Sequence, residues 1–135
     1  AGDPGPNFPF AESDADGYSF PQMITDFLQD VPREKLTVVF GLFGYDWQVT
    51  DKGDSINTAT PISTADIQAS FITSCKYTHC LLQRNPSEEP FVSYTDAIGQ
   101  KHIVWFEDMQ SIRKKIDYLQ RQGIGSIAFW ANSYF

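Results

Sequence analysis

The sequence predicts an α/β fold, and three observations carry that prediction. Residues 35–43 (KLTVVFGLF) and 125–130 (GSIAFW) are β-branched and aromatic without period-two polarity. That pattern belongs to strands covered on both faces, as in a parallel sheet. Just ahead of the second run, Met109, Ile112, Ile116 and Leu119 step by three and four along one face of a helix. Strand 36–43, helix 109–122 and strand 125–130 then form one β–α–β unit, and residues 48–106 form an insertion within it. The chain divides accordingly into residues 1–47 (loop, helix and first strand), 48–106 (an α+β insertion) and 107–135 (last helix and last strand).

Each element has a local reason. The first eighteen residues are rich in Gly, Pro, Asp and Ser and read as loop. Ser19 is placed to cap a helix over 20–30, with Pro21 tolerated in its first turn and Met23, Ile24, Phe27 and Leu28 at helical spacing. Val31-Pro32 stops it. Gly44-Tyr45-Asp46-Trp47 is expected as a turn at the end of strand 36–43, followed by polar loop to Ile62. Thr64 is expected to cap a short helix through Ser74 that carries Ile67 and Phe71. Residues 91–95 and 101–106 read as a hairpin around Asp96-Ala-Ile-Gly99. Asp108 caps the last helix, Lys114, Lys115 and Arg121 suit its later turns, and Gly123 ends it.

Composition narrows the function classes. The chain has 135 residues, 41% hydrophobic and 20% charged, enough for one packed domain. Net charge is −7. Residues 1–32 hold six acids and no Lys or Arg, and from Arg33 onward eleven acids face ten bases. A nucleic-acid binder needs a cationic stripe to displace counterions, and none is present. No apolar run reaches the roughly eighteen residues of a membrane helix. No basic-then-apolar leader opens the sequence, and AGDPGPNFPF reads as a mature or cut end. Cys75 and Cys80, in SCKYTHC, favour a small local disulfide over free thiols. They favour it also over a metal site, for which only His79 and the remote His102 could be recruited. No cofactor motif is present.

Two parallel strands do not make a sheet. Their outer edges and faces call for neighbours beyond those this sequence supplies.

The blocks KLTVVFGLFGYDW and FVSYTDAIGQKHIVWFEDMQSIRKKIDYLQRQGIGSIAFW, in that order, resemble the C-terminal third of glycoside hydrolase family 18 proteins. The likeness is to the di-N-acetylchitobiase and spore peptidoglycan N-acetylglucosaminidase branches, and it runs from about residue 18 to 132. It implies the C-terminal portion of a (β/α)8 barrel, with residues 36–43 as strand seven and 125–130 as strand eight. It also implies action on β-1,4-linked N-acetylglucosamine glycans, with the substrate's acetamide as nucleophile and a glutamic acid as proton donor. It further implies a secreted or lumenal setting.

That Glu ends an Asp-x-x-Asp-x-Asp-x-Glu run, which this chain lacks. Asp14-Ala-Asp16 has Tyr18 where Glu is needed, and Asp51 and Asp54 have Thr58 there. No catalytic residue is therefore assigned. Barrel sites form at the C-terminal ends of strands. Trp130 matches the family's strand-eight tryptophan, which floors a sugar ring, and Tyr45, Asp46 and Trp47 match the turn after strand seven. These four are the candidate substrate-binding residues. As alternatives, Trp130 packs a core strand end and the other three anchor the insertion. Trp105, Phe106, Glu107 and Asp108 read as hairpin packing and helix cap. Gly41 stands where relatives carry proline, and the ANSYF tail also diverges.

The function expected is that of a C-terminal segment of such a hydrolase, contributing aromatics but not the acid. The alternative is a non-catalytic, chitinase-like carbohydrate-binding (lectin) module, and a blander one is an interaction domain using the insertion alone. The partners expected are N-acetylglucosamine oligomers, and either the N-terminal part of the same barrel or a second copy.

Overall fold

The computed structural model describes residues 3–10 and 18–130. Asp14, Asp16 and the ANSYF tail lie outside the described residues.

Two sheets share the chain. The first is a parallel pair, β1 (Thr37–Gly41) with β7 (Ser126–Trp130). Helix α1 (Phe20–Asp30) precedes β1, and helix α3 (Met109–Arg121) precedes β7. Both helices begin as their residues dictate. The Ser19 hydroxyl accepts from the Gln22 N–H, and the Asp108 carboxylate accepts from the Gln110 and Ser111 N–H groups. Burial opposes ionisation of Asp108, but Arg84 and those N–H groups outweigh it and hold its carboxyl below the ordinary range. Gly123, at φ 76°, follows the end of α3 in the left-handed conformation open to glycine.

One face of the parallel pair is covered. Val38 and Phe40 pack with Phe20 and Ile24 of α1, Ile112 and Leu119 of α3, and Ile124. Ile127 and Phe129 share that face by register but stay 36% and 44% exposed, because neither helix reaches across β7. The opposite face carries the pairs Thr37–Ser126, Val39–Ala128 and Gly41–Trp130, with Val39 58% and Trp130 56% exposed.

The second sheet is antiparallel with five strands in the order β3-β2-β6-β5-β4. Its members are β2 (Phe43–Val49), β3 (Thr60–Ser63), β4 (Thr78–Arg84), β5 (Pro90–Thr95) and β6 (Lys101–Phe106). A short helix α2 (Thr64–Ile67) and a π-helical turn, Gln68–Ile72, lie against it. Ile67 and Phe71 pack there on Val92, Tyr94, Val104 and Phe106.

The expected strand 36–43 is thus two strands separated by Leu42, and the expected turn Gly44–Trp47 is the body of β2. The insertion's sheet accordingly begins at Phe43, not after Trp47. The reason lies at Gly44. A Cβ there would stand 2.4 Å from the Trp105 carbonyl oxygen and 2.6 Å from the Phe106 Cβ, so glycine serves close pairing with β6 rather than a turn. The expected loop to Ile62 ends in β3, an edge strand that tolerates Pro61. The cap of α2 is Ser63, not Thr64. Strand β4 is an element the sequence reading did not anticipate.

Cys75 and Cys80 are joined, with Cα atoms 5.6 Å apart, closing the loop that leads into β4. A Cys75→Ser, Cys80→Ser variant is expected to lose about 2 kcal/mol, the low end for disulfides, because so short a loop restricts little unfolded-state entropy. Urea unfolding of variant and parent measures it.

Candidate functional site

The candidate site lies where the two sheets meet. Trp130 ends β7 on the face turned away from the helices, and its in-register partner is Gly41. Only Leu42 separates Gly41 from β2, whose residues then alternate in direction. Phe43, Tyr45, Trp47 and Val49 share one face; Gly44, Asp46 and Gln48 share the other.

That alternation lines up aromatics. The Trp130 and Phe43 ring centroids are 5.9 Å apart, Phe43 and Tyr45 5.7 Å, and Tyr45 and Trp47 5.9 Å, the first two pairs edge-on and the third tilted. Trp105 sits opposite Tyr45 in the β2–β6 register and packs on Phe91 at 4.5 Å. A cleft of about 470 Å³ is bordered by Trp130, Phe43, Tyr45, Phe8 and the edge of β1. A second, of about 480 Å³, is bordered by Tyr45, Trp47, Trp105, Tyr18 and the proline-rich segment 3–9.

Asp46 does not join them. It lies on the reverse face of β2, where Tyr94 donates its hydroxyl to Asp46 Oδ2 at 2.6 Å and His102 Nδ1 stands 2.8 Å from Oδ1. The other ring nitrogen of His102 faces Asp96 Oδ2 at 3.3 Å, and the Tyr94 and His102 rings stack at 4.6 Å. Burial first, and Asp46 second, push the Tyr94 phenol above its ordinary pKa. Burial works against ionisation of Asp96, yet the Gln100 and Ile98 N–H groups and the His102 ring together hold its carboxyl below the usual range. The Asp46 carboxylate is thus engaged by Tyr94 and His102 on the face turned away from the aromatic row. The structure brings together Trp130, Tyr45 and Trp47 and separates Asp46 from them.

Beneath the first cleft runs a buried ionic cluster. Lys115 of α3 pairs with Glu107, and Glu89 Oε1 lies 3.7 Å from its ammonium. All three side chains are almost wholly buried. Ser111 donates to Glu107 Oε2 at 2.7 Å; Phe10 N–H and Asn85 Nδ2 donate to the Glu89 carboxylate at 2.8 and 2.7 Å. Burial pushes the Glu107 carboxyl up, against the opposing pull of Lys115 and Ser111. Lys115, expected only to suit the later turns of the last helix, is instead buried where α3 meets Glu107 and Glu89. Its signal was in the sequence, since Glu107, Ser111 and Lys115 are spaced by four. Phe43, the link between Trp130 and Tyr45, was also missed. Its signal was the period-two run Phe43, Tyr45, Trp47, Val49.

Among the described residues no group of three His, Cys, Asp or Glu side chains could hold a metal ion. No described helix is long and apolar enough to cross a membrane.

Comparison with known proteins places this geometry. Residues 4–134 match the family model described as glycosyl hydrolases family 18. The chain is 29% identical over 100 residues to the cortical fragment-lytic enzyme of Bacillus anthracis, covering 74% of this chain and 22% of that one. It superposes on the crystal structure of the Bacillus cereus spore cortex-lytic enzyme SleL with TM-score 0.71 and 26% identity, covering 97% of this chain and 29% of that one. A family 18 N-acetylglucosaminidase from Paenibacillus barengoltzii shares the fold at TM-score 0.74 and 19% identity, over 94% of this chain and 38% of its own. The chain thus spans about a fifth of the length of the curated relatives it matches.

Proposed function

The chain belongs to glycosyl hydrolases family 18, and from that premise we propose that it is the C-terminal segment of a hydrolase of β-1,4-linked N-acetylglucosamine glycans. In this reading β1 and β7 are strands seven and eight of a (β/α)8 barrel, and the five-stranded sheet is the insertion between them. The face bearing Val39, Gly41 and Trp130 is the barrel interior.

One observation carries the reading. Trp130 stands at the C-terminal end of its strand, on the face away from the helices, half exposed and joined through Phe43 to Tyr45 and Trp47. Barrel active sites form at that end. An indole there offers flat apolar area to the C–H face of a pyranose. The role of this chain is to bind and orient the sugar, while the proton donor of the reaction belongs to the Asp-x-x-Asp-x-Asp-x-Glu run that it lacks. The Cys75–Cys80 disulfide supports a secreted or lumenal setting.

The test has two arms. Trp130→Ala is expected to weaken binding of a β-1,4-linked N-acetylglucosamine tetramer by about tenfold or more, measured by calorimetry, through loss of the buried indole area. The 135-residue chain alone is expected to release no product from a chromogenic β-N-acetylglucosaminide. Unchanged affinity in the first arm, or turnover free of contaminating hydrolase in the second, contradicts the proposal.

A further inference from the structure

Segment 3–10 borders both clefts, yet it forms neither helix nor strand. Pro4, Pro6 and Pro9 have no backbone N–H to donate, so a sheet ladder cannot hold it in place. Scattered ties hold it instead. The Phe20 N–H donates to the Pro9 carbonyl at 2.7 Å, and Asn7 Nδ2 donates to the Phe43 carbonyl at 3.0 Å. The Phe10 N–H donates to Glu89 Oε1 at 2.8 Å. That third bond runs to a buried carboxylate, which sets it above the two neutral bonds in strength.

Glu89 is itself held firmly. It ends the loop between β4 and β5, where Asn85 Oδ1 accepts from the Ser87 and Glu89 N–H groups at 3.0 and 2.9 Å. Those bonds turn Asn85 Nδ2 toward Glu89 Oε2, at 2.7 Å. Arg84 fastens the same loop to α3, donating to the Glu88 carbonyl at 2.7 Å while pairing with Asp108. Lys115 already has a counter-ion in Glu107, and Glu89 Oε1 lies further off at 3.7 Å. A second buried carboxylate on one ammonium is costly. What it supplies beyond Glu107 is a fixed acceptor for the Phe10 N–H.

We propose that Glu89 is a positioning residue, holding segment 3–10 through the Phe10 N–H so that both clefts are shaped before a sugar chain arrives. The inference rests on the carbohydrate reading above and adds to it a residue of the insertion that borders neither cleft. A wall in place for only a fraction of the time raises the apparent dissociation constant in inverse proportion to that fraction.

The experiment is calorimetry on the full protein with the thio-linked tetramer of β-1,4-N-acetylglucosamine, whose bridging sulfurs resist hydrolysis. Glu89→Leu removes the acceptor and is expected to weaken binding about tenfold, as for a wall in place about a tenth of the time. Glu89→Gln can still present an oxygen to Phe10, but its nitrogen then opposes Asn85 Nδ2. A loss of about threefold is expected there. Val92→Ala is the control, since it thins the insertion's core on the sheet face away from Tyr45 and Trp47. It is expected to lower the melting temperature and leave affinity unchanged at a temperature where every variant is folded.

A measurement on the parent needs no substitution. The Phe10 amide exchanges with solvent when the wall lifts, so saturating tetramer is expected to slow that exchange about tenfold or more. NMR with labelled phenylalanine follows it. Parent-like affinity in Glu89→Leu, Glu89→Gln no better than Glu89→Leu, or a matching loss in Val92→Ala overturns this inference and leaves the carbohydrate reading standing. Phe10 exchange indifferent to saturating tetramer does the same. A parent that fails to bind the tetramer, or binds it indifferently to Trp130→Ala, overturns the carbohydrate reading and this inference with it.

Discussion

Replacing Lys115 by methionine is expected to destabilise the fold by about 3–5 kcal/mol, the range for breaking a buried ion pair from one side. Methionine fills much of the same volume, so the loss is electrostatic rather than a cavity. Glu107 and Glu89 would be left in the interior with no cation, in a protein whose whole stability is expected near 5–15 kcal/mol. The effect has a pH signature. Burial already raises the Glu107 carboxyl, and without Lys115 that rise goes largely unopposed. A carboxyl whose folded-state pKa exceeds its unfolded value favours the folded state at pH below the unfolded value. That advantage is lost as pH climbs through the folded value. The deficit of Lys115→Met against the parent is therefore expected to be smallest in mild acid and to grow toward neutrality. Thermal melts at several pH values measure it. Adding Glu107→Gln to Lys115→Met should recover part of the loss; a double variant no better than the single one would show that the charge of Glu107 is not what destabilises it.

The chain in isolation is expected to self-associate through β1 and β7. Val39, Ile127, Phe129 and Trp130 are all more than a third exposed, and each outer edge of this two-stranded sheet presents unpaired backbone groups. Fully burying side chains of this size is worth roughly 1.5–3 kcal/mol each, so covering several of them outweighs much of the cost of association. Sedimentation equilibrium at micromolar concentration should give a mass above the 15.3 kDa of one chain. Val39→Lys with Phe129→Lys should shift it toward that value. Under the proposed function the same surface is covered by the preceding strands of the barrel, and adding that segment in trans should compete with self-association. A parent chain that is monomeric and unfolds cooperatively would contradict the expectation.

Much of this architecture was legible because its signals are local. Ser19, Asp108 and Gly123 mark helix ends by chemistry that acts within one turn, and the 91–95 and 101–106 runs flank an evident turn. Their boundaries hold to within a residue or two. The break at Leu42 was not legible. Gly44 and Asp46 look like turn residues, but one is glycine to let β6 approach and the other is polar because Tyr94 and His102 wait for it across the sheet. Both reasons are tertiary. Lys115 was misread in the same way, because a cation late in a helix satisfies the dipole rule even when an interior acid claims it. Trp130, Tyr45 and Trp47 were singled out through family likeness, and no local pattern alone marks them as a site.

The five-stranded sheet leaves the β–α–β unit at Phe43 and returns to it at Glu107, and these two residues are neighbours: the Glu107 N–H donates to the Phe43 carbonyl at 3.4 Å. The Thr64 hydroxyl also reaches the Glu107 carbonyl at 3.3 Å. The sheet is thus a closed detour whose two ends already touch. Lengthening or shortening such a detour changes the closure entropy only logarithmically, by roughly 0.6 kcal/mol per doubling. The parallel pair and its helices can accordingly tolerate wide variation in the size of this module. What the module cannot shed without consequence is its foot, where Phe43 packs on Trp130 and Glu89 and Glu107 enclose Lys115.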